Sequence, residues 1–455
     1  MENKDIARHI AFSSTIGRVE SDGTIFLANE EEPFDPYIVL DSIIGLLYPT
    51  WLRILLLILP YILLLSFPSF NWIKGAALER KYILVGSALL IIMLPLKSAW
   101  VTFTTLILLS FALAKYIKER RFQIGAVQIA LIGFFMVPLL FLGDGDYTKL
   151  AIPLGFIWFA IIGACLDFSA IKQEIKVVYL KVFLILISII LVNWLLFIGF
   201  DAYFFQTDFF NYFREIKVHS HEMLFWLYFS HPTFLSFFIM IGGIFCLDVY
   251  YKASISAYFA MVYAILALLA LVVLGSRFTI LMGFCILIWY WMPLRYFKWL
   301  LIPFWLLLFG AIWKYIHYFD AQREKLWAWS WSAILEKPWF GHGTGTSALI
   351  LPEQLNVERV GTGVLMSINH SHNQILAYLL ENGILGTTLF MIAFLYLIYH
   401  FAKQNDRTML LIGSILLLLM LVEAPFRTAT PLYATAFLLT VMGDNGLNAM
   451  RQGHK

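Results

Sequence analysis

Apolar runs of about 18 residues or more recur from Ile38 almost to the C-terminal end of the chain, and this recurrence limits the possible folds more than any other feature. A bilayer core of roughly 30 Å is crossed by about 20 helical residues. Because lipid offers no hydrogen bonds, each span must satisfy its own backbone, which leaves helices or a closed barrel. A barrel would show shorter segments of alternating polarity, and the sequence has none. The expected fold class is therefore all-α, a polytopic transmembrane helical bundle. Composition agrees: 61% of residues are hydrophobic and 13% charged, against roughly 25% charged in soluble domains.

Connector charge orients the spans. KYIKERR (Lys115 to Arg121), IKQEIK (Ile171 to Lys176), PLRYFK (Pro293 to Lys298) and KQNDR (Lys403 to Arg407) read as cytoplasmic. Facing the other way are GDGDYTK near Asp144, the segment from Gln206 to His231, GSR ending at Arg277, the polar stretch from Asp320 to His372, and FRTATP at Phe426. Counting alternations gives about 12 spans with the C-terminus inside. The expected organisation is a polar N-terminal segment 1–36, transmembrane helices over 37–319, a large outer loop 320–372, further spans over 373–443 and a cytoplasmic tail 444–455. The acidic first segment lacks a basic start and short apolar core, so no cleavable signal peptide is expected. Residues 38–68 are too long for one straight helix and short for two, which leaves the side of the N-terminus open.

The 320–372 loop is expected to be ordered. REKLWAWSWSAILEKPWF places Trp327, Trp329, Trp331 and Trp339 in a pattern suited to an amphipathic helix at the membrane interface. Pro338 and GHGTGT would end it in a turn, which could lend backbone N–H groups to a phosphate. GHGTGT is no nucleotide loop, since the Lys-Ser or Lys-Thr ending of a P-loop is missing.

Three ionisable residues stand at span boundaries: Arg277 in LGSRFTIL, Arg323 in REKLW and His372 in HSHNQ. Charges near a membrane are costly and point to function more often than surface charges do. Two guanidiniums converging on one pocket would match the oxygens of a diphosphate, and a histidine can accept a proton near neutral pH. The plainer readings are headgroup pairing or snorkelling for the arginines and a structural histidine. Asn373 follows His372, and Gly383 and Gly386 come later, where absent side chains permit close packing.

The string HNQILAYLLENGILGT resembles the motif of O-antigen ligases and related polymerases: histidine, then Asn, Ser or Gln, nine residues, glycine, two residues, and Gly, Thr or Tyr. His372, Asn373, Gly383 and Gly386 fit it. REKLW followed by KPWFGHGTG is similar to the superfamily's outer loop, and Arg277 in SRFTIL resembles its boundary arginine. The resemblance covers about residues 225–390. It implies a fold like that of lipid-dependent glycosyltransferases, acting on the periplasmic face of the bacterial inner membrane. The implied reaction moves a glycan from a polyprenyl (undecaprenyl) diphosphate carrier to an acceptor hydroxyl, most simply that of lipid A core. His372 would be the base, with Arg277 and Arg323 neutralising the leaving diphosphate. The implied enzyme is inverting and metal-independent and uses no cofactor. Asn373, Arg214, His231 and Arg427 are the expected substrate contacts. An O-antigen or exopolysaccharide polymerase and a protein O-oligosaccharyltransferase share this chemistry, and the motif does not separate them.

Other features stay open. His219, His221, His231, His342 and His370 lack the carboxylates or thiolates of a metal cluster. Cys165, Cys246 and Cys285 sit in apolar runs and read as small core hydrophobes. Glu423 and Arg427 flank a proline and could pair with each other or edge the site. Asp41, Asp167 and Asp248 keep a transporter in view, although a transport path would need midplane charges or broken helices. Nothing marks nucleic acid as a partner; membrane lipids, a carrier-linked glycan and its acceptor are the partners implied.

Overall fold

The computed structural model describes residues 16–19, 25–27, 78–95, 98–143, 147–205, 232–274, 283, 310, 314, 321–347, 349–351 and 371–443. Its helices are α1 (Leu78–Met93), α2 (Ser98–Glu119), α3 (Ala126–Leu140), α4 (Leu154–Cys165), α5 (Lys172–Phe205), α6 (Pro232–Tyr251), α7 (Ala257–Val273), α8 (Ala321–Glu336), α9 (Gln374–Lys403), α10 (Arg407–Val422) and α11 (Ala429–Met442). The all-helical expectation holds for the described residues of the apolar part. One antiparallel pair, β1 (Ile16–Val19) and β2 (Ile25–Leu27), lies in the polar N-terminal segment, where sheet edges can be hydrated.

Among the described residues, four helical stretches are long and apolar enough to cross a membrane: Ala99–Glu119, Lys172–Val192, Thr233–Tyr251 and Gln374–Lys403. Helices α3, α4, α7, α10 and α11 are apolar but shorter. Several starts are capped by the residue types that favour caps. Ser256 Oγ accepts from Phe259 N, Asp406 Oδ1 from Met409 N, and Asn373 Oδ1 from Ile375 N and Leu376 N.

Helix α3 lies at the centre, packed by α4, α9 and α11. Small residues permit close packing: a Cβ on Gly133 of α3 would stand 3.1 Å from Ala393 Cβ of α9, and between α4 and α11 one on Gly155 would stand 2.1 Å from the Tyr433 ring. Phe134 of α3 fills the middle, with ring centroids 5.4 Å from Phe156 and 5.0 Å from Phe390. Helices α5, α6 and α7 pack together beside this group, with α6 against α10 and α5 against α1. Outward-facing leucines and isoleucines on α2, α7 and α9, among them Ile107, Leu268 and Ile392, stay exposed, as a lipid-facing surface requires.

The two ends of the bundle differ in charge. At one end Arg80 pairs with Glu174, Lys172 meets Asp406 at 3.4 Å, and Asp248 meets Lys176 at 2.6 Å and Lys252 at 3.0 Å. Gln123 N donates to Ala164 O there, so three of the four basic connectors share this end; PLRYFK lies outside the described residues. Asp248 is thus a paired carboxylate near a helix end, and Asp167 is an exposed turn residue accepting from Ser169 N. Asp41 lies outside the described residues.

Candidate functional site at the opposite end of the bundle

The opposite end gathers α8, the 337–347 turn, the start of α9 and the 423–428 turn. The break in α9 organises it. Gly383 has φ +62° and ψ −170°, a conformation open to glycine. The four backbone groups freed around the break pair with the turn after α8. Ile384 N donates to Pro338 O and Leu385 N to Trp339 O, while His342 N donates to Leu380 O and Gly343 N to Glu381 O. A Cβ on Gly383 would stand 2.3 Å from Trp339 O, and one on Gly341 would stand 2.4 Å from Glu381 C. The expected close packing at Gly383 is therefore real, but its partner is a turn and not a helix. Gly386 lets the Phe141 ring approach.

The GHGTGT turn differs from expectation. The N–H groups of Gly341, His342, Gly343, Thr344 and Thr346 donate to Lys337, Leu380, Glu381, Phe141 and Gly343 carbonyls. Those donors are committed within the protein and do not form a phosphate cradle. Thr344 also donates from Oγ1 toward Pro138 O, so with its N–H on Phe141 O it serves carbonyls that the end of α3 leaves without helical partners. His342 Nε2 lies 2.8 Å from Ala333 O and has a structural role.

His372 is placed by its neighbours. Trp327 Nε1 donates to Ser371 O at 3.1 Å, Ser371 Oγ donates to Asn373 O at 2.9 Å, and Asn373 Nδ2 donates to Leu421 O at 3.0 Å. Held between them, His372 adopts φ +48°, a left-handed conformation that costs a non-glycine residue about 1–3 kcal/mol and persists only where the surroundings impose it. Asn373, expected as a substrate contact, is buried. Its amide caps α9 with its oxygen and ties α9 to α10 with its nitrogen.

Glu423 is the hub. It is 2% exposed. Its Oε1 accepts from Arg323 Nη2 at 2.9 Å, and its Oε2 lies 3.1 Å from His372 Nδ1. Arg323 Nη1 also donates to Val422 O at 2.7 Å, a carbonyl at the C-terminal end of α10, where the helix dipole favours a cation. Gln374 N donates to Glu423 O at 3.1 Å, and Gln374 Oε1 accepts from Phe426 N at 2.9 Å. A carboxylate can only accept, so it holds His372 in the tautomer with Nδ1–H toward Glu423 and the Nε2 lone pair directed elsewhere.

A second ion pair ties the 423–428 turn to the middle of α9. Arg427 pairs with Glu381, which is 1% exposed and also accepts from Ser347 N at 3.2 Å. Glu423 and Arg427 are therefore not partners of each other; each crosses to a different element. Of the residues singled out from the sequence, Arg323, His372, Asn373 and Arg427 meet at this end. Arg277, Arg214, His231, His219, His221 and His370 lie outside the described residues. The hub role of Glu423 was not legible. Glu381 was missed despite a clear signal, a carboxylate inside an apolar run. Among the described residues no group of three metal-ligating side chains occurs.

The chain was compared with protein-family models and with curated proteins, and neither comparison returns a match.

Proposed function

We propose that this protein is a membrane glycan transferase of the O-antigen ligase type, working at the end of the bundle where His372 and Arg323 meet. The observation that carries the reading is the shared carboxylate: Glu423 holds a histidine and an arginine side by side. An acceptor hydroxyl attacks the anomeric carbon of a carrier-linked glycan, and its proton passes to His372 Nε2. The bond from that carbon to the diphosphate oxygen breaks, and the polyprenyl diphosphate leaves with the electron pair. Attack opposite the leaving group inverts the anomeric carbon. Glu423 stabilises the imidazolium that forms, as a carboxylate does behind a histidine base. Arg323 and Arg277 serve the leaving diphosphate with fixed positive charge, with no metal required. Arg214, His231 and Arg427 are assigned to the substrate rim.

Placement of the site away from the basic connectors favours the periplasmic face of a bacterial inner membrane, with about 12 spans in the full chain. The same chemistry would serve a polymerase or a protein O-oligosaccharyltransferase. Transport is disfavoured by the location of Asp248, which is paired near the basic end.

The test is transfer from a purified polyprenyl-diphosphate donor in EDTA, offering lipid A core and carrier-linked repeats separately to wild type and His372→Ala. Coupling to lipid A core, lost in the variant, supports the ligase. Chain growth on the carrier makes it a polymerase. Retained configuration or a divalent-ion requirement contradicts the mechanism.

A further inference from the structure

Helix α8 has three faces. Leu326, Trp327, Ser330, Ala333 and Ile334 are buried against the bundle, while Lys325, Ser332 and Glu336 form an exposed polar strip. The third is apolar yet uncovered: Trp331 is 52% exposed, Leu335 62%, Trp339 60% and Phe340 68%. Trp331 and Leu335, four positions apart, share one face of α8, and Trp339 and Phe340 add exposed apolar side chains in the turn that follows its end.

The position of the turn says what these side chains meet. Pro338 and Trp339 are bonded to α9 at Ile384 and Leu385, just past Gly383. Gly383 lies roughly 14 Å along α9 from its start at Gln374, at 1.5 Å per residue. The turn therefore stands beside a span and not above its end. Outward-facing α9 residues continue from there, with Ile384, Leu385 and Leu389 between 41% and 46% exposed. On the other side Phe340 lies 6.5 Å from the Phe141 ring, next to exposed Leu140. This apolar patch is thus continuous with the lipid-facing surface of α3 and α9.

We infer that Trp331, Leu335, Trp339 and Phe340 form a wedge seated in the interfacial layer of the bilayer beside α9, with lipid as its partner. Tryptophan suits that layer because its ring is apolar and its N–H is polar, and the polar strip on the adjacent face stays in water. Arg323 stands on the first turn of the same helix, which is about 24 Å long. One rigid element therefore links the guanidinium on Glu423 to the membrane surface, where, on the function proposed above, a lipid-borne diphosphate arrives.

The test reads lipid contact without any transfer assay, so it stands or falls apart from the proposed reaction. In nanodiscs, a nitroxide is placed at Leu335→Cys or Glu336→Cys with Cys165, Cys246 and Cys285 replaced by alanine. Its relaxation is measured with oxygen, which concentrates in lipid, and with a water-soluble nickel chelate. The expected oxygen-to-nickel ratio is several-fold higher at position 335 than at 336. Equal ratios, or exclusion of both reagents at 335, overturn the inference. A second measurement keeps the native cysteines and uses acyl-brominated phosphatidylcholine. Trp331→Phe with Trp339→Phe should remove a larger share of the lipid-quenchable emission than of total emission; an equal or smaller share overturns the inference.

Discussion

Glu423 and His372, separated by 51 positions in sequence, meet at 3.1 Å, and the carboxylate that orients the ring also binds Arg323. One buried charge thus fixes the two side chains that the proposed transfer uses. For the proposed reaction, Glu423→Gln keeps the shape and an acceptor oxygen but loses the charge that supports an imidazolium. The expected result is a fall in kcat on the order of 10²-fold, within the range ascribed to positioned proton transfer, with KM for the acceptor little changed. A rise in KM at unchanged kcat would reassign Glu423 to substrate binding.

Asn373 acts through His372. Its oxygen caps α9 and its nitrogen holds Leu421 O. Asn373→Ala should lower stability by about 1 kcal/mol through the lost cap alone and release the strained backbone at His372. Asn373→Ser retains a capping oxygen and should fall between alanine and wild type. Thermal unfolding in detergent checks the order, and a serine variant no better than alanine would count against the cap.

The helical class of the described apolar residues and the gathering of three of the four basic connectors at one end were legible because burial and charge are patterned locally along the chain. His372 and Arg323 were legible as boundary charges. Their shared partner was not, because Glu423 reaches Arg323 across 100 positions and local sequence carries no record of such a pairing. Proximity of Glu423 and Arg427 in the chain pointed to a pair or to an edge of the site; the short turn between them sends the two side chains to different elements, and both stand at the candidate site. The GHGTGT turn misled for a related reason. Glycines free a backbone for unusual conformations, but they do not say whether its N–H groups face a ligand or, as here, the broken α9.

That broken helix gives a sharp contrast between two glycines. Gly383→Ala must place a methyl group against the Trp339 carbonyl at φ +62° and ψ −170°, a region essentially confined to glycine that alone costs about 1–3 kcal/mol, and the 337–347 turn has to move. Gly243→Ala meets nothing within 4 Å and should be neutral or slightly stabilising, since alanine is the better helix former. The measurement is the melting temperature of each variant in detergent. Equal melting temperatures would mean that the exchange of backbone bonds at the break contributes little.

Glu381 and Arg427 provide the last case, a carboxylate buried beneath the site and held by one guanidinium. Removing one partner leaves the other charge largely out of water, at a cost of about 3–5 kcal/mol in comparable buried pairs. Removing both leaves no uncompensated charge. Glu381→Gln and Arg427→Gln should therefore each destabilise the protein strongly, and the double variant should be more stable than either single variant. A double-mutant cycle on unfolding free energy reads the coupling directly. Strict additivity would show that the two side chains do not depend on each other, and Arg427 would then be free to serve the substrate without weakening the fold.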